Sequence, residues 1–443
     1  MNWQELLTAK RFGQNNHKAL NITSTRTEFQ RDYDRIIFSS PFRRLQNKTQ
    51  VFPLPGKVFV HNRLTHSLEV ASVGRSLGNV VAEKLIQGGL TADPMINEIG
   101  TIISAACLAH DMGNPPFGHS GEEAISSYFA KNEALIKPKL SEAEWQDFVN
   151  FDGNANAFHL LTTKFKGRRA GGFGLTLPTL ASIVKYPYEA QYAVKKNKFG
   201  FFQADKEAYE MIANELSISK NDKNNTFNRY PLVYLVEAAD DICYQLMDFE
   251  DAHKLGILAT NEIIELFKGF FNNTEDKATL DKIENTFKEV TDTNEQIGYL
   301  RAIIINKLIF ECADVYISNY AAIMKGTYSS TLIKDINPDT YECYKHIQNI
   351  AIKRIYKHKT VVEIELSGYQ IIGILLAEFA EAVLEPNSSY SKKLLSVMPL
   401  QYKIENESVY QKLLSVTDFI SGMTDVYALD LYRTIKGINI PSI

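Results

Sequence analysis

Apolar residues recur at three- and four-residue intervals along most of the chain. Val70, Val73, Leu77, Val80 and Val81 fall on one side of a helix, as do Ile371, Ile372, Leu375, Leu376 and Phe379; this is the spacing of amphipathic helices that set one face on a core. Period-two alternation is scarce, and neither a Gly-x-Gly-x-x-Gly nor a Gly-x-x-x-x-Gly-Lys pattern occurs, so the chain reads as all-α, without a Rossmann unit or a P-loop. A continuously apolar helix is predicted over Ile99–Ala109, ending at His110-Asp111 and followed by the rigid Gly113-Asn114-Pro115-Pro116 loop. Another is predicted from Pro231 through Tyr244, with Pro231 in the first turn, where its missing N–H breaks no helix bond. Residues 164–175, with four glycines, and 219–229, rich in Asn and Lys, read as loops. The polar stretch 272–276 and the turn 386–389 do the same, and no repeat or low-complexity tract interrupts the pattern.

Composition narrows the class. The 443 residues are 45% hydrophobic and 23% charged, the balance of a globular protein with ample core material, which excludes collagen-like and disordered readings. Lys and Arg total 48 against 52 Asp and Glu, a formal charge of −4, so the chain lacks the strongly basic balance of a dedicated nucleic-acid binder. Cys107, Cys243, Cys312 and Cys343 are scattered and form no Cys-x-x-Cys pair, which argues against a disulfide framework and against a thiolate zinc site. The N-terminus has no signal pattern and no uninterrupted apolar run is long enough to span a bilayer. The expected location is the cytoplasm, with no membrane partner.

Candidate chemistry concentrates in a few words. His66 lies in Arg63-Leu64-Thr65-His66-Ser67, His110 and Asp111 close the apolar helix, and His119 and Glu122 follow the proline loop. Imidazole nitrogen and carboxylate oxygen converging on one point make a divalent-metal site, although an isolated His-Asp pair reads first as a capped, solvent-facing helix end. Downstream, Asp240, Tyr244 and Asp248 are spaced by four, which stacks a carboxylate, a phenol and a second carboxylate on one helical face at intervals of about 6 Å. Such a stripe in an apolar helix either faces water or lines a site. Ser120 and Glu123 read as a Ser-x-x-Glu capping box that would fix the approach of His119.

Several long words, in order, are similar to those of the HD-domain deoxynucleoside triphosphate triphosphohydrolases, the dGTPase-like family. They are Arg31-Asp32-Tyr33, Phe42-Arg43-Arg44-Leu45-Gln46-Asn47-Lys48-Thr49-Gln50, Asn62-Arg63-Leu64-Thr65-His66-Ser67-Leu68-Glu69-Val70, Ala109-His110-Asp111-Met112-Gly113-Asn114-Pro115-Pro116-Phe117-Gly118-His119, Glu237-Ala238-Ala239-Asp240-Asp241 and Ser421-Gly422-Met423-Thr424-Asp425-Val426-Tyr427-Ala428-Leu429. The resemblance runs from about Arg31 to the C-terminus. It implies a single HD-type unit with a helical core over about 31–255 and a helical elaboration over about 256–443.

The resemblance also implies roles. His66, His110, Asp111 and Asp240 would hold a divalent ion (Mn, Mg, Co or Fe), with Asp240 preferred to Asp241 because it precedes Tyr244 by four. His119 and Glu122 match a catalytic pair, with a carboxylate such as Glu122 holding His119. Arg63, Lys185, Tyr186 and Tyr244 match positions around the triphosphate, Gln50 and Asp248 match positions near the sugar 3′-hydroxyl, and Asn154 matches a segment beside the site. Asn114 stands where some relatives carry histidine. The lysine-rich runs Lys164–Arg169 and Lys195–Lys198 read instead as solvated faces. The implied activity is hydrolysis of dNTPs, dGTP foremost, to deoxynucleoside and tripolyphosphate. The implied assembly is a homo-oligomer, tetramer or hexamer, with single-stranded DNA or a second dNTP as effector. Competing readings are an HD phosphohydrolase acting on nucleoside monophosphates or cyclic nucleotides, and a single-strand-binding regulator on the same fold.

Overall fold

A helix with no polar face is stable only when surrounded, and the segment Ile99–Ala109 is surrounded: all of its residues except Thr101 are buried. The computed structural model describes residues 1–14, 26–52, 60–193, 198–221, 225–272, 274–403 and 407–438. The helices that position the site are α1 (Glu28–Ile37), α2 (Arg63–Gln87), α3 (Ile99–Ala109), α4 (His119–Lys131), α5 (Gly153–Thr162), α6 (Val233–Lys254), α7 (Thr293–Ser318), α8 (Lys359–Leu384), α9 (Val409–Ser421) and α10 (Asp425–Ile435). Among the described residues the only strands are a two-residue antiparallel pair, β1 (Lys220–Asn221) and β2 (Thr226–Phe227). The all-α reading therefore holds. Within the 219–229 segment, expected to be loop, the described residues 220–221 and 226–227 pair as this small ribbon.

Two hydrophobic cores result. In the first, α3 packs against α1, α2 and α6, while α7 covers α2 and α6. In the second, α8 packs against α4, α9 and α10. Among the described residues α8 alone is long and apolar enough to cross a membrane; here Ile371, Ile372, Leu375, Leu376 and Phe379 are buried against its neighbours. The cores interleave along the sequence, since α4 belongs to the second core while α6 and α7 return to the first.

Helix starts follow local chemistry. Asn62 caps α2 by accepting from Thr65 N, while Thr65 Oγ1 accepts from Asn62 N, a reciprocal capping box. Asp152 caps α5 by accepting from Asn154 N. Helix α6 differs from expectation: it begins at Val233, and Pro231 and Leu232 form a turn ahead of it. Val233 N donates to Tyr230 O, and Leu235 N to Leu232 O. These tighter bonds carry the chain through the proline before α-helical pairing starts.

Gly74 marks the point where α2, α3 and α6 meet. A Cβ there would lie 2.7 Å from Cys107 Sγ, 2.9 Å from Ile103 Cγ2 and 3.4 Å from Ala239 Cβ, so only glycine lets the three helices approach this closely. Gly74→Val should force them apart and lower the unfolding free energy by about 1–3 kcal/mol, the usual range for overpacking, read as a drop in the urea midpoint. An unchanged midpoint would show that the three helices meet with slack.

Candidate active site

His66 sits in the first turns of α2, His110 directly follows α3, and Asp240 lies in the middle of α6. The close packing of these helices brings His66 Nε2 to 3.0 Å from Asp240 Oδ1, and His110 Nε2 to 3.6 Å from the same oxygen. One ligand atom from each of the three residues lies within 4.8 Å of the other two. His110 Nδ1 donates to Cys107 O at 2.5 Å, which leaves Nε2 as the ring atom free to take a proton or an ion. That atom is buried and has no hydrogen-bond partner. An orphaned imidazole nitrogen facing a carboxylate and a second imidazole suits a divalent ion, and the back-side bond to the Cys107 carbonyl is the usual way a ligating histidine is oriented. The residues present fit a metal.

Asp111 stands beside this trio. Its Oδ2 accepts from Arg63 Nη1 at 2.8 Å and its Oδ1 from Asn114 Nδ2, with Oδ1 3.6 Å from His110 Nε2. The electrostatics are those of tightly paired charges. Burial alone would raise the Asp240 carboxyl and lower the His110 ring; His110 and His66 instead hold Asp240 well below the ordinary carboxylate value. Asp111 and Asp240 raise His110 to about 9. Asp111 is held low against burial by Arg63 and His110.

These groups open on a cavity of about 190 Å³. Its wall takes in His66, His110, Asp111 and Asp240, with His119 and Glu122 from α4, Gln50 and Arg63 from the segment entering α2, Asn154 from α5, Lys185 and Tyr186, and Tyr244 from α6. Asp241, by contrast, is not in the wall. Asp248 is the one expected site residue missing from it: it is buried one turn beyond Tyr244 and accepts from Tyr356 Oη at 2.6 Å. The 240-244-248 stripe thus runs from the cavity into the protein. Burial raises the Asp248 carboxyl to about 8, against the bond from Tyr356.

Two expectations around His119 are corrected. No Ser-x-x-Glu capping box forms, because α4 already starts at His119, with Gly118 at φ 59° as its cap. Ser120 is therefore inside the helix, and its hydroxyl donates to Glu365 O on α8. Nor does Glu122 hold His119: its Oε1 accepts from Gly153 N at 2.8 Å, tying α4 to the start of α5. Burial and the nearby charge of Asp152 raise Glu122 to about 7. His119 is pulled below the ordinary imidazole value by burial and by the cations Arg63 and Lys198.

Residues 63–149 match the HD domain family, and residues 335–434 match the phosphohydrolase-associated domain family. A deoxyguanosinetriphosphate triphosphohydrolase-like protein of Synechocystis sp. is 38% identical, covering 99% of this chain and 100% of the relative. One of the same description from Pseudomonas aeruginosa is 36% identical over the whole of both chains. The deoxyguanosinetriphosphate triphosphohydrolase of Yersinia enterocolitica is 29% identical over 91% of this chain and 93% of its own. The chain belongs to the deoxyguanosinetriphosphate triphosphohydrolase-like family. It is an HD-type hydrolase, as the resemblance implied.

Sequence reasoning missed one residue of this family member's cavity wall and two that stand behind it. Lys198, read as part of a solvated run, lines the wall with Nζ 3.4 Å from Asp152 Oδ1; Lys195, Lys196 and Asn197 lie outside the described residues. A surface lysine and a cavity lysine look alike in sequence, and only the buried carboxylate of Asp152 distinguishes them. Glu237 holds Lys185 Nζ at 2.9 Å and Arg229 at 2.6 Å; it sits in a quoted word, which was the available signal. Tyr356 follows a π-helical turn, residues 351–355, and reaches Asp248 from more than 100 residues away.

The segment that carries Arg63 is pinned by His61. Asp251 on α6 accepts from His61 N and pairs with its Nδ1, both at 2.8 Å, and Glu69 lies 3.2 Å from Nε2. Burial disfavours the charged ring, but Asp251 and Glu69 raise it from 6.5 to about 10. A raised histidine contributes its full stability below the unfolded value and loses it as pH rises through the folded one. The stability difference between parent and His61→Gln should therefore shrink steadily between about pH 6.5 and about pH 10. A constant difference across that window in urea unfolding would show that the ring is neutral in the fold.

Proposed function

We propose that the chain hydrolyses deoxynucleoside triphosphates, dGTP foremost, to deoxynucleoside and tripolyphosphate. The observation that carries the reading is one cavity in which His66, His110 and Asp240 present ligand atoms within 4.8 Å of one another while Arg63, Lys185 and Lys198 line the wall. An ion-binding donor set beside three cations suits a substrate that is both metal-seeking and polyanionic. His66, His110, Asp111 and Asp240 would hold the ion, Mn, Mg, Co or Fe. A bound divalent ion polarises a phosphate oxygen and acidifies a water.

The chain's own residues supply the rest. Arg63, braced by Asp111, and Lys185, braced by Glu237, present fixed positive charge to the phosphates, with Tyr186, Tyr244, Asn154 and Lys198 completing the walls. Hydrolysis breaks the bond between the α-phosphorus and the 5′-oxygen. The oxygen of water bonds to the α-phosphorus as the 5′-oxygen leaves; His119, whose basicity burial and the cations Arg63 and Lys198 lower, takes the proton from that water and returns it to the departing 5′-oxygen, with Glu122, raised to about 7, nearby as a second proton-holding group. Gln50, whose Oε1 is buried without a partner, is assigned to the sugar 3′-hydroxyl; Asp248, the other residue assigned to it, would have to exchange its bond from Tyr356 for one from the sugar. A site closed around that edge disfavours ribose.

The same reading treats the chain as one HD-type unit with a core over about 31–255 and an elaboration over about 256–443. It carries with it a cytoplasmic setting and, from the resemblance, a homotetramer or homohexamer and single-stranded DNA or a second dNTP as effector. Product analysis with dGTP and Mn²⁺ or Mg²⁺ tests it: deoxyguanosine and tripolyphosphate should form in equal amounts. Release of orthophosphate or pyrophosphate, or turnover only of monophosphates or cyclic nucleotides, would overturn it. Binding of single strands without hydrolysis would do so too.

Two variants test the assignments. His110→Ala with Asp111→Ala should abolish metal uptake in elemental analysis while circular dichroism keeps its helical form; full stoichiometric metal would end the ligand assignment. His119→Ala should lower kcat by about 10²- to 10⁴-fold with KM little changed, the range for a positioned acid or base. Turnover within about threefold of the parent would return His119 to a structural role.

A further inference from the structure

The Lys48 side chain is almost completely buried, yet it points at no carboxylate. Its Nζ donates to Asn114 O at 2.5 Å and to Ser421 O at 2.7 Å. The place is unfavourable for an ammonium group: burial, Arg44 and Arg63 together pull it down to about 7. An apolar side chain would avoid that desolvation but leave the Asn114 and Ser421 carbonyls without this donor. What lysine adds is direction, because it fastens the loop between Asp111 and His119 to the end of α9.

A second tie lies beside it. Asp425, buried at the start of α10, accepts from Thr49 N through Oδ2 at 2.8 Å and from Phe117 N through Oδ1 at 3.0 Å. Phe117 has φ 61° and Gly118 φ 59°. Phenylalanine in the left-handed region is strained and persists only where its surroundings hold it. Those surroundings are Asp425 and α8, where Gly368 leaves so little room that a Cβ would sit 2.4 Å from Phe117 Cβ. The same strap, residues 48–50, is bridged to Asn62 through Thr49, and Lys48 O accepts from Arg63 N.

We propose that Lys48 and Asp425 are positioning residues for hydrolysis: together they set, from the C-terminal helices, the strained approach to His119 and the strap that bears Gln50 and receives the Arg63 N–H. The proposal rests on the reading of the cavity as a dNTP hydrolase site. Neither residue lines the cavity wall; each acts through the backbone of a residue that does, or of its neighbour. Misplacing reacting groups by about 1 Å costs about 10²-fold in rate, so a small relaxation of this loop is enough to be measured.

The test uses the full-length protein loaded with Mn²⁺ and three variants: Lys48→Met, Asp425→Asn and His159→Gln. His159 serves as the control because it is an equally buried tie across the same seam, between Asp205 and Asp418 on α9, at the end of α5 away from the cavity. Lys48→Met and Asp425→Asn should lower kcat for dGTP at least tenfold, with KM within about threefold and metal content unchanged. They should also speed backbone hydrogen exchange across residues 112–119. His159→Gln should lower Tm yet leave kcat within about threefold of the parent. Should Lys48→Met fail to fold, Asp425→Asn, which keeps an acceptor oxygen, decides the question alone. Unchanged kcat and exchange in both variants would overturn the proposal, as would an equal loss of kcat in His159→Gln. If the parent releases no tripolyphosphate, the function reading fails by itself, and exchange across 112–119 still judges the clamp.

Discussion

The contact among α2, α3 and α6 at Gly74 is the constraint on which the site depends. His66, His110 and Asp240 come from three helices that are far apart in sequence, and they converge only if those helices approach without an intervening side chain. Glycine at 74 removes the obstacle, and the fully apolar α3 supplies the reason for the helices to close around it. The sulfur that Gly74 accommodates belongs to Cys107, whose carbonyl orients the His110 ring. Packing and ligand geometry are thus set by the same few atoms.

Convergence brings an electrostatic burden. Several carboxylates and imidazoles, with Arg63, Lys185 and Lys198, share a small cavity, and each buried charge is tolerable only with a partner. The pairs are explicit: Arg63 with Asp111, His66 with Asp240, Lys185 and Arg229 with Glu237, Lys198 with Asp152. The atoms left over are informative. His110 Nε2 and Gln50 Oε1 are buried and unpartnered, and both lie on residues that line the cavity. Other buried polar atoms also lack a partner, but only those on residues that line a cavity are placed where a ligand's atoms can reach them.

The C-terminal third is bound into this arrangement rather than appended to it. Helix α8 packs along α4, Glu365 receives the Ser120 hydroxyl, and Asp425 receives two backbone N–H groups from segments on either side of the cavity. Helix α4 therefore takes its direction from α8 and α10, and the chain before His119 bends through two left-handed residues to meet it. This explains why the words around Ser421 and Asp425 accompany the histidine words although they contribute no atom to the wall.

Much of this was determined by the sequence alone. The helical period located α2 and α8, because burial of one face repeats locally every three to four residues, and an apolar run located α3. The resemblance marked thirteen residues, of which all but Asp248 share the cavity, and seven of those twelve stand in the long words themselves, because side-chain types and their helix-end positions are written in consecutive residues. Tertiary structure alone decided what depends on contacts between distant segments. Ser120 and Glu123 have the letters of a cap, yet Phe117 and Gly118 start the helix earlier and α8 claims the serine hydroxyl. Glu122 could have reached His119 but lies nearer the Gly153 amide. Asp248 continues a perfect four-residue spacing and still leaves the cavity, because Tyr356 waits behind it. Lys198 and Lys48 are two lysines among many until Asp152 takes one and two backbone carbonyls take the other. Spacing along a helix is local geometry and can be read from the chain; the choice of partner for a buried polar group is settled by whichever distant segment packs there.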